Sequence, residues 1–381
     1  MPHSFSISVR RILSRLLPAI VLLGALAILF VFVENRRGEN AWQLYRVDAA
    51  QRGIRLDFAA FIPAPIPDGD NFAAIPFFNE AFENSAAATE RFRLPDQGKL
   101  AAPFSGFAGQ ASVDLTEWRD QFIRSKLLAA PGASAAADVL LALEPYSAVL
   151  DALHEAGLRP GSRFPVPWEQ GFSAPQPHLT LLQQAATLRF LRLAARLGKH
   201  ESAAAYLEWR EILRMYRAIE KEPNLLTGLV RITFASKLCG TLRQGLPIWD
   251  AAELNAIQAD LAGLRILDDY RFAIESERAL LNQHGDQLAT TPIWQRRKLL
   301  FDFDTQPVFA DPDPSWLDPW LLRGMPVGWF RRNQIAANRC IDAILARVDV
   351  AAQRLDLSEP SPASVEWLLD HNPRRFCFSF F

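Results

Sequence analysis

The residues best suited to acid–base chemistry lie within one predicted helix in the second half of the chain. Asp268, Asp269, Glu275 and Glu277 are followed by His284, at spacings that can place several of them on one helix face. Two carboxylates held about 5–10 Å apart can act as acid and base in glycoside hydrolysis. Glu275, Glu277 and His284 are therefore candidate catalytic residues. A solvated helix face with local ion pairs explains the same spacing.

The motifs that usually identify nucleophilic, phosphate-binding or zinc sites are absent from the sequence. G-x-S-x-G, the P-loop, G-x-G-x-x-G and H-E-x-x-H do not occur. One acidic segment could bind calcium, although its spacing is not that of an EF-hand loop and its prolines favour a rigid turn; it contains Asp302, Asp304, Asp311 and Asp313. The sequence predicts no metal and no cofactor.

An imidazole and two aromatic clusters are candidate binding groups. His178 follows Pro177 at the start of a predicted helix, where it can serve as a functional imidazole or as a capping or surface residue. Aromatic side chains can stack on sugars or peptides, or can anchor long loops onto a helical core. The aromatic residues concerned are Phe164, Trp168, Trp316, Trp320, Trp329 and Phe330.

An uncharged apolar run covers Leu16 to Val33. As a helix these 18 residues would be roughly 27 Å long, close to the ~30 Å hydrocarbon core of a bilayer. The run ends without the small-residue pattern of a cleavage site, because Ala25-Leu26-Ala27 lies inside it. The sequence therefore predicts an uncleaved signal-anchor that contacts lipid through residues 16–33.

The orientation of this anchor is not decided by counting charges. Three arginines precede the run (Arg10, Arg11, Arg15) and four follow it (Arg36, Arg37, Arg46, Arg52). A short basic tail before a first apolar span typically stays in the cytoplasm. We therefore predict a single-pass protein of the bacterial inner membrane with residues 35–381 exported.

Composition limits the classes of partner. The formal net charge of −1 offers no electrostatic footprint for nucleic acid. The excess of arginine over lysine is explained by the codon usage of a GC-rich genome. Cys239, Cys340 and Cys377 form no C-x-x-C motif, and their odd number leaves at least one thiol unpaired within the chain.

Helical periodicity dominates the chain and strand alternation is nearly absent, so the predicted fold class is all-α. Helices over 178–197, 201–221 and 223–245 are joined by short connections and should be antiparallel neighbours. The Gly198 turn resembles a tetratricopeptide hairpin, although the period of such an array appears nowhere else. We predict an irregular helical bundle with a repeat-like hairpin in its middle.

Five segments are predicted along the chain. They are a basic cytoplasmic tail (1–15), a transmembrane signal-anchor (16–34), a loop-rich helical region (35–176), a main helical bundle (177–357) and a short helix with a truncated tail (358–381).

Local signals add four finer predictions. Asp70 or Asn71 caps a helix that runs to about Phe82, and residues 85–113 form a loop. Asp250 opens a helix through a capping box with Glu253. The helix that begins at Pro326 extends to about residue 355.

An ordered series of short stretches extends over about residues 40–345. It comprises Trp42, Phe61–Asp68, Asn71–Ala73, Pro76, Pro177–Leu179, Glu277–Ala279, Pro326–Trp329 and Asn333. In this order the stretches resemble an uncharacterised family of bacterial, single-span, membrane-anchored helical proteins. The resemblance implies the fold and the location, and no activity. The candidate binding residues are Asn71, Trp168, His178, Arg278, Trp329 and Asn333.

The end of the chain departs from this resemblance. The family pattern continues with another helix and a Tyr-Pro segment that resembles the globular part of pseudopilins, whereas this chain ends in an aromatic tail from Asn372 to Phe381. The difference predicts a truncation or frameshift near Phe376.

Three functions are compatible with these features. The first is an exported, anchored interaction or scaffold module that binds another envelope protein or an envelope polymer. The second is an envelope hydrolase that acts on glycans or peptides through the carboxylates of the 268–288 helix. The third is an accessory of a secretion or pilus-like system.

Overall fold

The computed structural model describes residues 3–91, 94, 113–292, 295 and 325–358. Most of them are helical, which confirms the predicted all-α class and a long apolar N-terminal helix. The helices are α1 (His3–Gln51), α2 (Pro76–Glu83), α3 (Ser85–Glu90), α4 (Leu115–Arg124), α5 (Ala135–Ala142), α6 (Ser147–Ala156), α7 (Pro177–Gly198), α8 (Ser202–Ala218), α9 (Leu225–Gly245), α10 (Ala251–Ala262), α11 (Ile266–Thr290) and α12 (Val327–Leu345). One antiparallel pair of two-residue strands, β1 (Val348–Asp349) and β2 (Arg354–Leu355), follows α12.

Two of the described helices are long and apolar enough to cross a membrane. The first covers Leu17–Gln51 of α1, and its most apolar stretch is almost entirely exposed. The second is α9, which is nearly half buried within the protein, as is common for a core helix. The exposed apolar stretch of α1 is suited to contact with a bilayer.

The chain divides into two compact units. The bundle unit contains residues 59–277 and 348–355, and the anchor unit contains the described residues of 1–58, 278–347 and 356–381. α11 contributes its first part to the bundle unit and residues 278–290 to the anchor unit. The predicted segment boundaries given above stay predictions.

The core of the bundle unit is built around α7. Its buried side chains include Leu182, Leu188 and Leu191, which recur at helical spacing on the faces that meet α5, α8 and α9. A turn of three residues joins α7 to α8, and His200 takes the left-handed backbone conformation there, with φ of 61°. The short turn makes the two helices antiparallel neighbours, as the sequence predicts.

N-terminal caps explain where several helices of the bundle unit begin. The Asp114 carboxylate accepts from the backbone N–H of Thr116 at the start of α4, and the Ser134 hydroxyl accepts from that of Ala137 in α5. In contrast, the Asp250 side chain makes no cap hydrogen bond at α10. The predicted capping box at that position is therefore wrong, although α10 does begin at Ala251.

Three further local predictions are corrected. The helix near Phe82 begins at Pro76 with Ile75 as its N-cap, and the Asn71 side chain accepts from the N–H of Ala73 before this helix. Residues 85–90 form α3, capped by the Asn84 side chain, in a segment predicted to be a loop. α12 ends at Leu345, and the strand pair occupies 348–355, where helix was predicted.

The anchor unit combines α1, the second part of α11 and α12. α12 runs in the same direction as α1, because Arg332 pairs with Glu34 near one end and Asp342 with Arg52 near the other. α11 runs the opposite way, since Arg278 pairs with Asp342 and Asp286 with Arg331. The buried cluster of Trp42, Tyr45, Ala49 and Ile335 fills the α1–α12 contact.

Candidate functional site

The two candidate catalytic carboxylates of the bundle unit occupy different environments. Glu275 accepts a hydrogen bond of 2.8 Å from Arg271, one helical turn earlier on an exposed face. Glu277 is mostly buried, and its Oε2 accepts from the backbone N–H of Leu225 at 3.2 Å. Burial raises the pKa of the Glu277 carboxyl, and the Leu225 hydrogen bond lowers it by a smaller amount. Glu277 thus binds the first turn of α9, while Glu275 belongs to a surface ion pair.

His284, the third candidate catalytic residue, lies in the anchor unit. Its side chain is buried, and this desolvation lowers the pKa of the imidazole. A buried imidazole of this kind is favoured in its neutral form.

His178 is fully buried at the start of α7. Its ring stacks between Phe164, at a centroid distance of 4.2 Å, and Phe82, at 5.6 Å. Nε2 lies 3.0 Å from Oε2 of Glu222, which also accepts a 3.0 Å hydrogen bond from the Thr227 hydroxyl. The second ring nitrogen, Nδ1, has no hydrogen-bond partner. The contact of His178 with Glu222 thus joins the start of α7 to the segment just before α9 inside the bundle unit.

A pocket of about 350 Å³ lies next to this group. Phe82, which stacks on His178, lines the pocket together with Gln176 and Pro177. Gln176 is also fixed to Asn224, whose amide donates to it at 3.0 Å. The lining combines hydroxyl, amide and aromatic groups with the acidic residue Glu83, and His178 itself is not part of it.

Asn71 joins two loop segments of the bundle unit. Its side-chain amide donates to the carbonyl of Arg163 at 3.0 Å, and its Oδ1 accepts from the N–H of Arg163 at 2.8 Å. The Arg159 guanidinium donates to three carbonyls of the same segment, including those of Asn71 and Ala74. Both polar groups of the Asn71 side chain are therefore engaged within the fold.

The aromatic loop before α7 faces the core. Trp168 is 4% exposed, and Phe164 is packed against His178, Phe72 and Phe78. These rings anchor the loop onto the bundle. The other tryptophan loop residues, Trp316 and Trp320, lie outside the described residues, as do the four aspartates of the possible calcium site and the predicted C-terminal tail.

Three candidate binding residues lie in the anchor unit. Arg278 is buried and pairs with Asp342 at 2.7 Å, and Arg52 reaches the same carboxylate at 3.0 Å. Asn333 is buried on α12. Trp329 is half-exposed at the start of α12, where its Nε1 donates to the Glu34 carboxylate at 3.0 Å. The structure brings Trp329 to α1 and links Arg278 to the other end of α12.

A series of polar contacts joins α11 to α12. The amides of Asn282 and Asn338 donate to each other at 3.1 and 2.7 Å, and both residues are buried. Gln334 donates to the carbonyl of Asn282 at 3.0 Å. Buried polar groups that are fully paired favour one helix register over others.

Within the described residues, no three His, Cys, Asp or Glu side chains are grouped so as to hold a metal ion. Cys239 is exposed on α9 and Cys340 is buried on α12.

Comparison of the chain with known protein families, with curated proteins and with solved structures found no match.

Several residues central to these contacts were missed in the sequence. Glu222, Glu34 and Asp342 are carboxylates without a motif, and their importance comes from burial beside partners 44 to 295 positions away in the chain. Gly38 of α1 and Gly328 of α12 also contact each other closely, and neither has a side chain that could signal this in the sequence. The one sequence signal for this contact is the stretch Pro326-Val-Gly-Trp329, which is among the short stretches that carry the resemblance described above.

Proposed function

We propose that this protein is a membrane-anchored, exported helical module of the cell envelope that binds another envelope protein. The observation that carries the proposal is the continuity of α1. One helix runs from His3 to Gln51, with an exposed apolar stretch that begins at Leu17 and a last part packed against α12. Such an anchor holds α12 and the packed part of α1 at the membrane, as suits a scaffold. The basic N-terminus is in the cytoplasm on this proposal.

One side of α9 supports a binding role. Leu226 and Leu229 on this side are 53% and 43% exposed, although they belong to a helix apolar enough to span a membrane. Further along the same side lie the partly exposed Thr233 and Lys237, before the exposed Arg243. Exposed apolar groups that follow one helix face are typical of a protein contact.

The α7–α8 hairpin belongs to the same proposal. Its short turn and its alanine-containing contacts resemble one unit of a helical repeat array, and repeat units of this kind commonly present binding surfaces. We propose it as a repeat-like hairpin beside α9.

Photocrosslinking in native membranes tests the binding proposal. A photoreactive amino acid would replace Leu229 in the full chain, with the same replacement of Leu207 as a matched control, because Leu207 is a leucine on α8 that is 62% exposed. We expect an envelope protein, identified by mass spectrometry, to be trapped from position 229 and not from 207. The trapped product should disappear when Leu226 is replaced by Asp. Equal products from both positions, or none, would contradict the proposal.

An envelope hydrolase is the second candidate, and the burial of Glu277 favours it, because burial shifts the pKa of a carboxyl upwards, in the direction that a general acid needs. Purified full-length protein would be assayed on envelope glycans and peptides beside the variant Glu277→Gln. Activity that is lost in this variant without loss of the fold would support the hydrolase, and absence of activity in the native protein would reject it. An accessory role in a secretion or pilus-like system depends on the C-terminal segment, outside the described residues.

A further inference from the structure

The first turn of α12 lies beside the point where the apolar part of α1 ends. The ring of Trp329 meets that of Phe30 edge-on, with centroids 6.3 Å apart. The backbone N–H of Gly328 donates to Oδ1 of Asn35 at 3.1 Å. Phe30 belongs to the exposed apolar run, whereas Glu34 and Asn35 are the first polar residues after it. The start of α12 is thus fixed at the boundary between apolar and polar residues.

The length of the apolar run gives the level of this boundary in a bilayer. The run of 18 residues spans roughly 27 Å, close to the ~30 Å hydrocarbon core. The headgroup layer adds about 5–7 Å on each side, which corresponds to about four further residues of helix. Residues 34–38 of α1 therefore fall at headgroup level when the run is centred in the bilayer. Gly328 and Trp329 contact this same stretch and share its level.

The side chains at this level suit phospholipid headgroups. Tryptophan is enriched where hydrocarbon meets water, because its ring is apolar and its N–H is polar. Arg36 and Arg37 are exposed, and the Arg36 guanidinium lies 5.6 Å from the centre of the Phe32 ring. The one carboxylate among them, Glu34, is buried and neutralised by Arg332 at 2.8 Å, and the exposed Arg37 lies 3.5 Å from its other oxygen. The exposed surface is consequently aromatic and cationic.

We propose that the first turn of α12, together with Arg36 and Arg37, forms a second membrane contact that rests in the phospholipid headgroup layer. The anchor unit then docks on the bilayer surface through α12 in addition to crossing it through α1. This inference rests on the membrane-anchored part of the proposed function. Its ligand is the phosphate of the lipid headgroups, which the two arginines can reach from the exposed side of α1.

Depth measurement by spin labelling tests the contact. The full chain, with its three cysteines replaced (Cys239→Ser, Cys340→Ala, Cys377→Ser), would be reconstituted in nanodiscs of phosphatidylethanolamine and phosphatidylglycerol. Single labels would be placed by Val327→Cys in the first turn of α12, Gly24→Cys within the apolar run and Arg339→Cys farther along α12. Positions 327 and 339 are roughly 18 Å apart along the helix, so they sample clearly different depths. Collision rates with oxygen and with a water-soluble nickel chelate report the depth of each label.

We expect nickel accessibility at position 327 to be several-fold below that at 339 and above that at 24. Equal accessibility at 327 and 339, with position 24 shielded, would overturn the headgroup contact and leave the anchor intact. High accessibility at all three positions would overturn the anchor as well. Met325→Cys gives a second label beside the first turn, in case the Val327 variant does not fold.

Discussion

Gly38 of α1 and Gly328 of α12 cross so closely that neither position has room for a side chain. A Cβ on Gly38 would lie 2.2 Å from the Cα of Gly328, and one on Gly328 would lie 2.0 Å from the carbonyl oxygen of Glu34. The obstructing atoms belong to the backbone, so they cannot turn aside as a flexible side chain does. The two glycines therefore set the distance between the anchor helix and α12.

Replacing Gly328 by Ala should separate these helices. The added methyl group must displace the α1 backbone, and overpacking of this kind costs about 1–3 kcal/mol of unfolding free energy. The shift should also weaken the hydrogen bond between Trp329 and Glu34. Denaturant unfolding of the full-length protein in detergent measures the loss. Gly69→Ala is the control, because a Cβ there meets no atom within 4 Å, and an equal loss in both variants would contradict the role of the crossing.

The amide pair of Asn282 and Asn338 should behave as a coupled unit. Asn338→Leu leaves the buried amide of Asn282 without its partner, which costs about 1–3 kcal/mol. The double change to leucine removes both polar groups, so we expect it to cost less than the sum of the single changes. A double-mutant cycle from denaturant unfolding gives the coupling energy. Additive losses would show that the two amides do not stabilise each other.

Local signals in the sequence predict most of the long helices, although α3 forms in a segment predicted to be a loop. Asp114 and Ser134, two residue types that favour the N-cap position, cap α4 and α5, and periodic leucines identify α7. Asp250 shows the limit of this reasoning, because its capping pattern is present while the hydrogen bond is not formed. The end of α12 at Leu345 also went unpredicted, since no glycine or proline stops the helix there.

The polar contacts were much less predictable than the helices. The neighbours of Asn71 in sequence predict a helix cap, whereas its side chain accepts from the nearby N–H of Ala73 and also pairs with Arg163, 92 residues away. The position of His178 after Pro177 indicates the start of a helix. The burial of its ring between Phe82 and Phe164, however, depends on three separate segments of the chain. Pairings at such separations follow from the packing of the helices, which local patterns do not encode.

The buried ion pairs of Glu208 should contribute strongly to the stability of the α7–α8 hairpin. Its carboxylate binds Arg189 at 2.8 Å and Arg192 at 2.7 Å, and Arg189 is almost completely buried. Glu208→Gln leaves the buried guanidinium without its counter-charge, which costs about 3–5 kcal/mol. Thermal unfolding of the variant checks this value.

Glu201 provides the matched control for Glu208. It pairs with Arg196 and Lys199 in the same hairpin, but at the surface, where water screens the charges. We expect Glu201→Gln to leave the Tm nearly unchanged. A similar fall in Tm for both variants would mean that the ion pairs of Glu208 add nothing beyond those at the surface.

The carboxyl of Glu277 should make the stability of the protein depend on pH. Burial raises its folded-state pKa above the ordinary value of 4.5. At a pH above the ordinary pKa and below the raised one, the folded protein holds a proton that the unfolded chain has released. The stability of the protein therefore falls as the pH rises through this window. Glu277→Gln cannot ionise and can still accept the hydrogen bond from Leu225.

The stabilising effect of Glu277→Gln should therefore grow between pH 4 and pH 7 and be small at the lower end. Denaturant unfolding at a series of pH values, with Glu275→Gln as the control on the exposed face, measures this difference. Because the Glu275 carboxylate pairs with Arg271 at the surface, its variant should show no such growth. If Glu277→Gln were instead less stable than the native protein at pH 7, the ionised carboxylate would be stabilising the N-terminus of α9, and the burial argument would be wrong.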